Sequence, residues 1–100
     1  MASVGERLVE LASEIHFENL PAEVIRESGR RLLDALGCII AGANGSTTLQ
    51  AASAVMEMGG ASESSILGTD SFTSCEKATL VNCTALRFLD YMDGHPGPYP

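Results

Sequence analysis

The stretch Leu32 to Ala43, LLDALGCIIAGA, constrains the fold more than any other because it is apolar nearly all round. It completes a segment that starts at Pro21, a residue suited to the first turn of a helix, and runs to about Ala41. The first half of that segment is amphipathic, with Val24 and Ile25 set against Glu23, Arg26, Glu27, Arg30 and Arg31. A helix that is greasy on every side must be covered on every side, so its second half is predicted to be central to a helical bundle. The run is too short and too interrupted to span a bilayer. Gly29 and Gly37 each cost roughly 1 kcal/mol relative to Ala in an exposed helix, which makes sense if another helix crosses closely there. Asp34 is read as an ion-pair partner of Arg30 or Arg31 one turn back rather than as a chemical group.

Three further helices are expected from periodicity. Ser3 can cap the first, to about His16, with Val4, Leu8, Leu11, Ala12 and Ile15 as its apolar stripe. Another runs from Thr47 to about Met58 with Leu49, Ala52, Val55 and Met56 on one face, and Gly59-Gly60 stops it. The last opens at Thr73, which forms a capping box with Glu76 and is preceded by Phe72 as a possible staple. Its apolar face is Ala78, Leu80, Val81, Ala85, Leu86, Phe88 and Leu89. Between them, Ala61 to Asp70 reads as an extended strap rather than a paired strand, since no second strand-like run offers a partner. Five aromatics with no Trp and 45% hydrophobic content over 100 residues suit close-packed helices in one domain. The fold class expected is all-α, with little or no strand.

The net charge of -7 argues against nucleic acid, whose backbone calls for clustered Lys and Arg. The N-terminal MASVGERLVELASEIHF carries acids and no long apolar core, so it does not read as a signal peptide. Cys38, Cys75 and Cys83 are odd in number and lack C-x-x-C spacing; buried, reduced thiols in a cytoplasmic protein are expected. No membrane association is expected.

The chemistry-bearing residues gather at the end of the last helix. Asp90 and Asp93 are three apart and share a face if the helix continues, with Gly94 as its stop and His95 just beyond. Two acids and a His can hold a divalent metal. They can also move protons, because adjacent carboxylates raise one pKa and the His titrates near neutrality. A third reading makes them solvated residues at a helix end. Acids oppose the dipole at a helix C-terminus, which argues that they are kept for another purpose. No stoichiometric metal is expected, as the ligand set falls short of a closed site. His16 reads as a boundary residue. Gly42-x-x-Gly45 is not a phosphate loop, having no strand before it and no Lys after it.

Three ordered blocks, LPAEVIRESGRRLLDALGCIIAG, SSILGTD and ATLVNCTALRFLDYMDGHPG, resemble the amino-terminal part of the MmgE/PrpD family, which includes 2-methylcitrate dehydratase and cis-aconitate decarboxylase. They cover most of residues 20 to 97, and the R-F-L-D-Y-x-D block is the most specific. The resemblance implies a helical main domain, a separate smaller α+β lid, a homodimer, and cofactor-independent lyase chemistry on a small polycarboxylate. It implies that Asp90 is the active-site Asp and Asp93 a second acid. Gly94 stands where the family often has Thr, and His95-Pro96-Gly97 matches the family's His-Pro-Ser motif only in part. The lid and the family's later His and Lys have no counterpart here, and Arg87 is the one cation beside the site. The chain alone is therefore expected to be inactive, with a non-catalytic, self-associating helical module as the alternative.

Overall fold

The computed structural model describes residues 1–92 and Gly94. Its elements are α1 (Val4–Glu14), a 3-10 turn (Phe17–Asn19), α2 (Ala22–Gly42), α3 (Ser46–Glu57), β1 (Ser64–Ser65), β2 (Phe72–Thr73) and α4 (Cys75–Phe88). The architecture is mostly helical, as the periodicity predicts. Contacts divide the chain into two units, Met1–Arg30 and Arg31–Pro100, and α2 runs from one into the other.

In the first unit, Ser3 caps α1 with a full capping box. The Glu6 N–H donates to Ser3 Oγ at 3.2 Å and the Ser3 N–H donates to the Glu6 carboxylate at 2.6 Å. The Ser3 backbone bond, then its hydroxyl, hold the Glu6 carboxyl below its ordinary pKa. His16 is exposed at the start of the 3-10 turn, where its N–H donates to Asn19 Oδ1 at 2.9 Å. The expected stripe on α1 exists as a face, but Val4, Leu8, Leu11 and Ile15 all remain exposed.

The second unit holds the core. Val55 of α3, Ile66 of the strap and Val81 of α4 are 2%, 2% and 1% exposed, with Ala51 and Ala52 against them. On α4 the buried positions are Ala78, Val81 and Ala85, a narrower face than the periodicity suggests. Leu80, Phe88 and Leu89 stay exposed, as do Leu49 and Met56 of α3. The apolar end of α2 is likewise covered on one side only. Cys38, Ile39 and Gly42 are buried while Leu32, Leu33 and Ile40 are exposed, so within the described residues this helix is not central.

The glycines explain where helices do meet. A Cβ on Gly29 or Gly37 would meet nothing within 4 Å, so among the described residues no helix crosses there. The close approach is at Gly42 and Gly45 instead. A Cβ on Gly42 would run into the Ala85 carbonyl, and one on Gly45 would lie 2.5 Å from the Phe88 ring.

Residues 61–73 depart from the sequence reading. Ser64-Ser65 pairs antiparallel with Phe72-Thr73, with Ser64 opposite Thr73. Strands of two residues leave no pattern to detect, and the partner lay inside what reads as a helix start. Thr73 ends β2, where its carbonyl accepts from the Glu63 N–H at 3.1 Å, so it does not cap α4. Ser74 is the N-cap, and its hydroxyl donates to the Glu76 carboxylate at 2.7 Å, which lowers the Glu76 pKa. Gly68, at φ +81, turns the hairpin, with the Thr69 N–H donating to the Ile66 carbonyl at 3.2 Å. Asn82 then fastens the hairpin to α4. Its Oδ1 accepts from the Leu67 N–H at 2.9 Å and its Nδ2 donates to the Ser65 carbonyl at 3.2 Å.

Two outcomes are expected in denaturant unfolding. Gly42→Ala destabilises by about 1–3 kcal/mol through overpacking, whereas Gly37→Ala stabilises by up to about 1 kcal/mol; the reverse order would place the helix crossing at Gly37. A second expectation concerns acid. Because folding lowers the Glu6 pKa, the capping box stabilises α1 above the ordinary carboxylate range, and this is lost as pH falls through the lowered value. Circular dichroism should show acid loss of helix that Ser3→Ala reduces.

Candidate functional site

The site residues depend on how α4 ends. It does not continue to Asp93. Its last residue is Phe88, with Leu89 as C-cap at φ -84 and ψ -10. Asp90 follows in the left-handed region at φ 49, the one described non-glycine residue with positive φ. Its N–H donates to the Arg87 carbonyl at 3.0 Å, closing the helix. Asp90 thus takes the place that glycine commonly fills after a helix, and Gly94 does not stop α4. A left-handed Asp is tolerated because its short side chain is polar, but it is still less comfortable than glycine.

Arg87 and Asp90 are brought together. The guanidinium Nη2 lies 3.5 Å from Asp90 Oδ1, and the two side chains are 63% and 83% exposed. An ion pair this open contributes little to stability. Gly94 is exposed, and a Cβ there would meet nothing within 4 Å. Asp93 and His95 lie outside the described residues, so the joint use of the two acids and the His stays an expectation. No cluster of three or more His, Cys, Asp or Glu that could hold a metal occurs among the described residues.

The sequence reading missed the groove beside Arg87. Thr47 of α3 and Leu80, Cys83, Thr84, Arg87 and Phe88 of α4 line a space of about 550 Å³. Leu80, Thr84 and Arg87 fall at helical spacing, a signal obscured because Leu80 and Phe88 read as core. A second groove of about 490 Å³ runs along the hairpin, past Ser64, Ser65, Phe72, Cys75 and Asn82. The thiols divide accordingly. Cys38 is buried as expected, but Cys75 and Cys83 are exposed, each opening onto a groove, and all three are free.

No single described helix is long and apolar enough to cross a membrane. What the fold defines is a mostly helical domain with Asp90 just past the end of α4. The sequence profile of the MmgE/PrpD N-terminal domain matches residues 6–99, and the chain belongs to that family. Comparison with curated proteins and with solved structures brought no match for this chain.

If Asp90 is held in place for chemistry rather than stability, Asp90→Gly should stabilise. A gain of up to about 1 kcal/mol is expected from releasing the left-handed backbone. Thermal unfolding checks it; a loss would mean that the Arg87 pair outweighs the backbone cost.

Proposed function

We propose that this chain supplies the first part of a lyase site for a small polycarboxylate. The reaction is water elimination of the 2-methylcitrate kind or decarboxylation of the cis-aconitate kind. The observation that carries the reading is Asp90, an exposed acid in left-handed backbone just past a helix C-terminus, with a guanidinium 3.5 Å away. Neither the backbone nor the helix dipole favours an acid there, and strained or ill-placed residues of this sort gather at functional sites.

In this reading Asp90 is the catalytic base or acid at a carbon next to a substrate carboxylate, and Arg87 binds a carboxylate. Asp93 and His95 complete the proton-transfer set, Gly94 leaves room for substrate, and no metal or cofactor takes part. Free thiols suit a reducing cytoplasm. The exposure of Leu32, Leu33 and Ile40 supports a homo-oligomer, because large apolar patches are uncommon on soluble monomers. The same exposure favours the second reading, a helical module that acts only by self-association.

An ultraviolet assay of the unsaturated acid, run with light scattering, separates the two. In a chain carrying the complete site, Asp90→Asn should lower turnover about 10²–10⁴-fold. An unchanged kcat would remove Asp90 from the chemistry. The hundred residues alone should self-associate without turning over 2-methylcitrate or cis-aconitate; a clean monomer would count against the oligomer.

A further inference from the structure

We infer that the groove between the start of α3 and the last turns of α4 binds a small carboxylate with an apolar arm. This site shares Arg87 with the lyase reading but not Asp90, which is not among the groove's lining residues, so binding in the groove is tested separately from turnover.

Charge selects the ligand's head. The chain carries 13 acids against 6 basic residues, yet the lining of this groove includes Arg87 and no acid. The Asp90 pair occupies one Nη of Arg87 at 3.5 Å and is solvent-exposed, so the rest of the guanidinium fork remains available for a carboxylate. Thr47, the lining residue from α3, sits in the first turn of that helix. That turn has Gly45 as its N-cap, no capping side chain and no acid, so the positive end of the helix is uncompensated.

Shape and polarity select the tail. A space of about 550 Å³ suits a small organic molecule, and Leu80 and Phe88 give it an apolar floor. Thr84 adds little polarity, because its hydroxyl already donates to the Leu80 carbonyl at 2.8 Å. With one cation and mostly apolar walls, the groove matches one carboxylate on a short hydrocarbon arm better than several carboxylates on a compact one.

The test is a 1H–15N NMR titration of the 100-residue chain with hexanoate. Shifts are expected at the amides of Ser46, Thr47 and Thr84, with a dissociation constant on the order of 1 mM. Citrate, hexanol and hexylammonium each lack the arm, the charge or its sign, and should bind at least about tenfold more weakly. Arg87→Gln should weaken hexanoate about tenfold, since it removes the charge-assisted bond. Thr47→Asp should do the same while leaving the fold intact, because an acid in the first turn suits the helix dipole but repels the ligand. No shifts at these amides, equal binding of hexylammonium, or unchanged affinity in the folded Thr47→Asp variant would each overturn the inference.

Discussion

The approach of Gly42 and Gly45 to the last turns of α4 is the contact on which the rest of the second unit depends. Side chains are absent at both positions, so the Ala85 carbonyl and the Phe88 ring occupy the space that a Cβ would take. This fixes the end of α2 and the start of α3 against the part of α4 that leads to Asp90. The groove beside Arg87 follows from the same contact. Phe88, held against Gly45, lines it from α4, and Thr47, two residues after Gly45, lines it from α3.

The other end of α4 is held by different means. Asn82 serves the hairpin as a third strand would, offering one acceptor and one donor to the backbone of residues 65–67. Two-residue strands are too short to persist by their own ladder, and here the amide clip and the burial of Ile66 keep them in place. Lys77 adds a bond across the same end, donating to the Gly59 carbonyl past the close of α3 at 2.5 Å. A helix C-terminus with exposed carbonyls is a favourable place for that ammonium.

Apolar surface is distributed in a way that bears on function. The most buried side chains are small or branched, Val55, Ile66, Val81 and two alanines, Ala78 and Ala85, while Leu32, Leu33, Ile40 and the α1 stripe stay in solvent. Hydrophobicity in this chain therefore exceeds what its described contacts cover. That excess makes self-association a reasonable proposal.

Helix number and approximate limits were legible in the sequence, because a period of 3.6 residues spread over ten or more positions is a strong signal. The capping role of Ser3 and the stop at Gly59 also depend on local chemistry, and they could be read from residue order. Tertiary structure decided the rest. Thr73 looks like a helix cap by spacing, yet pairing with Ser64 draws it into a strand and passes the cap to Ser74. Asp90 looks helical by its spacing from Asp93, yet α4 ends at Phe88, and the acid that sequence placed on a helix face turns into left-handed backbone. Gly37 and Gly42 are indistinguishable as letters in one apolar run. Only the arrival of α4 at Gly42, and its absence at Gly37, gives them opposite meanings, because close packing is a property of two surfaces and a sequence describes one at a time.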